Sequence, residues 1–267
     1  MDPETVSILC SPDTHEPLAL QQVQTPDGYF ERYLEAVDTG QQFFFQNGIP
    51  VFYDVSQLTE TDLHSNTFYQ KTAKYYDLGL KILAGLLGKG ETNFRKQYLQ
   101  LLEFKKNDRV LEVSVGTGTN LSLTPKFVRC YGIDLSWEML SRCQKNLVRW
   151  DRKIELFFGN AEALPFIDHA FDVVFQVGGI NAFNNRAKAI EEMIRVARPG
   201  SKIVIVDETA KLLRGLSWIR PFRTMLEQWG DRFEAPVNLV PPSMQELRVG
   251  TLIYGFFYIL SFRKPEN

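Results

Sequence analysis

From Arg109 onward, near-continuous apolar runs alternate with stretches whose apolar positions recur every three or four residues. RVLEVS, CYGIDL, KIELFFGN, FDVVFQVG and SKIVIVDE are the apolar runs, the pattern of strands covered on both faces. SWEMLSRCQKNLVRW and RAKAIEEMIRVA carry helical spacing between them. The first helix opens at the N-cap candidate Ser136, and the second stops at Arg198-Pro199-Gly200. This order predicts an α/β protein with a doubly wound, Rossmann-like, mostly parallel sheet.

The two ends read differently. Residues 1–55 hold short strand-like runs, PLALQQVQ, RYLEAVD and QQFFFQNGIPVFY, separated by PDG, DTG and NG turns. They predict a small β-rich domain. Residues 56–104 are helical in period and form a cap or linker, and residues 105–267 form the main domain. At the tail, ELRVGTLIYGFFYILSFRKP reads as two strands close in sequence, an antiparallel hairpin at the sheet edge. Its apolar core, TLIYGFFYILSF, is too short for a membrane helix, so no membrane span is expected.

Composition narrows the field without choosing a chemistry. Of 267 residues, 44% are hydrophobic and 23% charged, as in a soluble globular protein, and the formal net charge is -2. That balance gives no global attraction to nucleic acid, so none is expected as a partner. Cys10, Cys130 and Cys143 form no spaced pair, which points to a reducing, cytoplasmic setting. No basic-then-apolar leader opens the sequence. Oligomeric state is not legible.

The chemistry concentrates in VLEVSVGTGTNL, where an apolar run ends in Glu112 and then a loop carries Gly116 and Gly118. Such a loop lets backbone approach a ligand, and the helix after it offers free N–H groups. A dinucleotide is one candidate, but Leu121 stands where the third glycine of its fingerprint belongs, and Glu112 would repel a pyrophosphate. S-adenosylmethionine suits the acids better. Glu112 can attract its ammonium, and Asp134, at the tip of the next strand, can accept from both ribose hydroxyls.

With those residues in view, the chain from about Phe68 resembles the class I S-adenosylmethionine-dependent methyltransferases, in the group that includes quinone-ring C-methyltransferases. VLEVSVGTG, YGIDLSWEML, GNAEALPF, FDVVFQVGGINAF and EEMIRVARPGSKIVIVDE resemble five family motifs in order. The resemblance implies a seven-stranded sheet of order 3-2-1-4-5-7-6 with strand 7 antiparallel. It implies S-adenosylmethionine as cofactor, with S-adenosylhomocysteine as product, and a small-molecule acceptor of aromatic or apolar character. Cofactor contacts fall on Glu112, Ser114, Gly116, Gly118, Asn120, Asp134, Leu135, Met139, Asn160, Ala161, Glu162, Gln176, Val177 and Gly178, with Tyr69 and Tyr76 on a capping helix. Substrate contacts fall on Asn181, Phe183, Trp218 and Phe222, the last two in a lid segment that also holds Trp229 and Phe233.

The motifs depart from the family at three places. Ser114 replaces the usual first glycine, Asn160 a usual aspartate, and Ala182 a histidine that many relatives carry. No catalytic base is therefore assigned. The departures leave open a binding protein that has lost turnover, and the first domain leaves open an RNA methyltransferase. That domain resembles a small zinc ribbon, but Cys10 is the one thiol left of the C-x-x-C pairs such a unit needs, so no metal is expected.

Overall fold

A computed structural model describes residues 1–24, 27, 29–54, 90–215, 217–218, 223–224, 226–227 and 230–266. The capping-helix positions Tyr69 and Tyr76, and the lid positions Phe222 and Trp229, lie outside the described residues.

After a short helix α1 (Pro3–Val6) comes a four-stranded antiparallel sheet of sequential order, β1 (Leu18–Gln24), β2 (Phe30–Ala36), β3 (Gln42–Gln46) and β4 (Ile49–Pro50). Asn47 and Gly48 join β3 to β4 with φ of +51° and +77°. Two consecutive positive φ values are what a tight hairpin turn requires, and Asn-Gly supplies them with least strain.

Helix α2 (Gly90–Leu99) then leads to the main sheet. Its strands are β5 (Arg109–Val113), β6 (Arg129–Asp134), β7 (Ile154–Phe158), β8 (Phe171–Val177), β9 (Ala197–Glu208), β10 (Gln245–Leu252) and β11 (Phe257–Arg263). The spatial order is β10-β11-β9-β8-β5-β6-β7, and β11 runs antiparallel to both its neighbours. Counted from β5 as strand 1, this is the order 3-2-1-4-5-7-6. The apolar tail is the expected edge hairpin, turning at Ile253–Gly255 between β10 and β11. Among the described residues no helix is long and apolar enough to cross a membrane.

Between the strands lie α3 (Thr119–Ser122), α4 (Trp137–Trp150), α5 (Arg186–Val196) and α6 (Ala210–Gly215). Ser136 caps α4 by accepting from the Met139 N–H at 3.4 Å. At the end of α5 the Arg-Pro-Gly stop lies inside β9 rather than before it. The ladder to β8 shifts register there, between Phe171 and Val173, and Gly200 has a φ of +77°.

The first sheet is not a free appendage. Val51 bridges Phe158 in parallel, and the Phe52 N–H donates to the Phe158 carbonyl at 2.8 Å, so the chain after β4 closes the β7 edge. One apolar core runs through both sheets, from Leu34, Phe43 and Phe52 to Phe157, Phe166 and Leu111. Cys10 is buried, and burial pushes its thiol up to about 12. Beside it, Glu16 accepts from the Asp38 and Thr39 N–H groups and from the hydroxyls of Thr14 and Thr39.

Candidate functional site

The parallel strands β5 and β8 end side by side, and a cleft opens beyond their carboxyl tips, as open α/β sheets dispose it. Its floor is the loop from Ser114 to Gly118. Ser114, Gly116 and Gly118 have φ of +59°, +55° and +78°. The loop is fixed to the next strand, because the Val115 N–H donates to the Ile133 carbonyl at 3.0 Å. Gly118 packs so closely on α4 that a Cβ there would lie 2.5 Å from Cys143 Sγ.

Glu112, the last but one residue of β5, is fully buried. Its Oε1 accepts from Asn120 Nδ2 at 2.5 Å. Asn120 Oδ1 in turn accepts from Arg95 Nη1 at 2.5 Å and from the Tyr98 hydroxyl at 2.6 Å. Arg95 and Tyr98 sit three residues apart on α2 and so share a face. Glu112 Oε2 is buried and, among the described residues, finds no hydrogen-bond partner. Burial pushes the carboxyl up to about 8, against the lowering effects of Asn120 and Arg95. A half-satisfied buried carboxylate is costly alone and becomes favourable once a cation reaches it.

Asp134 ends β6. Its Oδ2 accepts from the Gly116 N–H at 2.8 Å and its Oδ1 from the Ser136 N–H at 2.9 Å. The carboxylate thus ties the glycine loop to the start of α4, and burial raises it to about 6. Each oxygen keeps a further acceptor site.

Beyond β8 the chain turns through Gly178 and Gly179. With its amide turned so that the oxygen faces this turn, the orientation that satisfies both ends of the group, Gln176 accepts from the N–H groups of Gly179 at 2.9 Å, Ile180 at 3.1 Å and Gly178 at 3.3 Å. From the β9 side, Asp207 Oδ2 accepts from the Gly179 and Asn181 N–H groups, each at 3.0 Å. Asn181 is buried, its Oδ1 accepting from the Tyr258 hydroxyl at 3.1 Å and its Nδ2 donating to the Glu208 carbonyl at 3.0 Å.

The structure thus brings together at the cleft wall Glu112, Ser114, Gly116, Asn120, Met139, Val177 and Gly178. Gly118 and Gln176 lie behind that wall as supports, and Asn181 is engaged inside the protein. Leu135 is half-buried where β6 gives way to α4. Asn160, Ala161 and Glu162 form a turn after β7, in which Asn160 Oδ1 accepts from the Glu162 N–H at 3.0 Å. Phe183 is half-buried, and Trp218 is 80% exposed. Phe233, expected in a lid, is buried and packs inside.

Arg95, Phe94 and Phe257 also line the cleft and carry no local sequence signal. Phe257 belongs to the edge hairpin and reaches the cleft by packing on Phe94, ring centres 5.0 Å apart.

A methyltransferase-domain family model matches residues 111–205, the stretch that builds the loop, Asp134 and the β8 turn. A demethylmenaquinone methyltransferase of Desulfitobacterium hafniense is 31% identical over 228 residues, covering 74% of this chain and 88% of that protein. A methyltransferase of Geotalea daltonii named for ubiquinone and menaquinone biosynthesis is 27% identical over 158 residues, covering 57% and 66%. Among solved structures, a phosphoethanolamine N-methyltransferase of Haemonchus contortus in complex with S-adenosylmethionine superposes with a TM-score of 0.58 at 14% identity, covering 78% of this chain and 61% of that one. An S-adenosylmethionine-dependent methyltransferase of Thermotoga maritima gives 0.54 at 17% identity, covering 74% and 98%, a likeness of fold. By its sheet order and by the length and identity of its match to the Desulfitobacterium protein, the chain belongs to the class I S-adenosylmethionine-dependent methyltransferases.

Proposed function

We propose that this methyltransferase acts on a small quinone-like aromatic acceptor. The orphaned Glu112 Oε2 carries the cofactor assignment within this chain, because a buried acceptor at the cleft wall is what the cofactor's ammonium completes. Arg95, buried beside it, offers a guanidinium to the carboxylate of the same amino-acid end. Asp134 would hold the ribose hydroxyls, Asn160–Glu162 and Leu135 would contact the adenine, and Met139 would contribute an apolar contact to the nucleoside. The acceptor class is supported by the Desulfitobacterium relative, which is a demethylmenaquinone methyltransferase.

The bound cofactor supplies an electrophilic methyl on a sulfonium. What falls to the protein is alignment and exclusion of water, which lower the barrier by several kcal/mol, roughly 7–11 in the best-oriented cases. The Gly178–Gly179 turn, held from two sides by Gln176 and Asp207, forms the rigid wall against which the acceptor is set. An acceptor already ionised at a ring hydroxyl places negative charge on the neighbouring ring carbon, so no protein base is needed to start the reaction. The departing ring proton leaves afterwards to solvent. The Trp218 indole, exposed on the segment after α6, supplies a flat surface for the ring.

The test has two arms. Calorimetric titration with S-adenosylhomocysteine should show one site per chain, and absence of heat at millimolar ligand defeats the cofactor reading. Incubation with tritiated S-adenosylmethionine and a reduced, short-chain demethylnaphthoquinone should label the ring. Cofactor binding without ring labelling defeats the acceptor class alone.

A further inference from the structure

We infer that the amino-terminal region, residues 1–54, is a positioning element for base recognition: the segments flanking its sheet grip both ends of the 159–167 loop, so that Asn160–Glu162 is presented to the purine as a preformed surface. The inference rests on the reading of that loop as the adenine contact.

At its start, the loop leaves β7 through Phe158. The Phe52 N–H holds the Phe158 carbonyl at 2.8 Å, while the Phe158 ring stacks on Trp137, centres 4.4 Å apart and planes within 7°. Gly159 follows with no spare room, since a Cβ there would meet Ile133 Cδ1 at 2.9 Å and Phe52 Cβ at 3.6 Å. At its end, the loop is bound to the first residues of the chain. The Cys10 N–H donates to the Pro165 carbonyl at 3.1 Å, and the Ile167 N–H donates to the Ile8 carbonyl at 3.0 Å. Phe166 is fully buried there, edge-on to Phe157 and Phe171 at 5.0 and 4.8 Å.

The middle is held from α5. Glu192 Oε2 accepts from the Leu164 N–H at 2.8 Å, and Arg195 donates to the Leu164 and Phe166 carbonyls at 3.0 and 2.7 Å. What is left between these anchors is the Asn160–Ala163 turn. Ordering a loop on binding weakens the binding, and a loop already ordered avoids that loss. Two of its three anchors come from residues 1–54, which contribute no side chain to the cleft wall described above. A sheet that merely covered the β7 edge would need only the contact at Phe158. The second grip, at Ile8 and Cys10, acts on the far end of the loop and has no part in covering that edge.

The experiment compares S-adenosylhomocysteine with S-inosylhomocysteine, which differ only at the base. It uses the full chain, Phe52→Ala and the control Phe43→Ala. Phe43 packs on Phe52 at 5.1 Å but makes no contact with the loop among those described. The parent should prefer the adenine ligand, and Phe52→Ala should reduce that preference about tenfold. Phe43→Ala should lower the melting temperature comparably and keep the preference. Phe52→Leu, a milder change should Phe52→Ala not fold, should shift the ratio in the same direction. Amide exchange across 159–167 should quicken in the Phe52 variants and not in Phe43→Ala. An unchanged ratio with unchanged exchange overturns the brace. A parent blind to the base overturns the adenine reading beneath it.

Discussion

Asn120 donates to one oxygen of Glu112 at 2.5 Å, and among the described residues the other, buried oxygen has no partner. The consequence is a linkage between cofactor and proton. Glu112 is raised from 4.5 to about 8, so in the empty enzyme near pH 7 it is largely protonated. A cationic ligand requires the ionised form, and its binding releases a proton. Affinity should climb with pH by up to about tenfold per unit and level off above about 8. Glu112→Gln should bind at least tenfold more weakly at pH 8 and lose the slope; calorimetry across pH 5.5–8.5 measures both.

The same residue sets a stability trend in the absence of ligand. A raised carboxyl contributes stability in full below its unfolded value, and that contribution is lost as pH rises through the folded one. Between about pH 4.5 and 8 the parent should therefore lose ground steadily to Glu112→Gln in thermal melts. A parallel pair of curves over that window counts against a buried, protonated Glu112.

Ser114 stands at φ +59°, where a side chain costs about 1–2 kcal/mol relative to glycine. Ser114→Gly should raise the melting temperature by roughly 2–4 °C. Differential scanning calorimetry decides it, and a fall would mean that the Ser114 hydroxyl contributes more than its backbone strain removes.

Gly118 admits no Cβ, with Cys143 Sγ at 2.5 Å and φ at +78°. Gly118→Ala should destabilise by about 1–3 kcal/mol. Adding Cys143→Ala should recover part of the loss, because it removes the clash and leaves the strained φ. Simple additivity in that double-mutant cycle would show that the two residues are not in contact.

Glu16 is lowered to about 2, chiefly by the Thr39 hydroxyl and against a smaller effect of burial, with Thr14 and two backbone N–H groups adding to it. A depressed carboxyl gives stability that is present above its unfolded value and is lost as pH falls through the folded one. The advantage of the parent over Glu16→Ala should be full above about pH 5 and fade toward pH 2, as acid unfolding followed by circular dichroism would record.

Much of this was legible before any coordinates. Near-continuous apolar runs, helical spacing and the Asn47-Gly48 turn are local signals, and β1 to β11 follow them closely. The glycine loop was equally plain, since Glu112, Gly116 and Asp134 are near in sequence and their motif has a fixed order. Arg95 was not, because one arginine in an amphipathic helix looks like solvated surface until the fold folds it inward. Asn181 illustrates the converse. Its place after β8 suggested an open position, whereas Tyr258, 77 residues later, closes over it. Which edge of the main sheet would receive the first one was likewise invisible, since edge pairing is decided by shape and not by local pattern. Pro199-Gly200 has the local signature of a break, yet a register shift absorbs it into β9.

A chain of rings runs from Phe43 through Phe52, Phe157 and Phe166 to Phe171, each within 6.4 Å of the next. With no seam in that chain, the front of the molecule is not a cassette to be cut off or exchanged. Heat should find one object and not two: a single calorimetric peak, with the front sheet and the nucleoside cleft lost together.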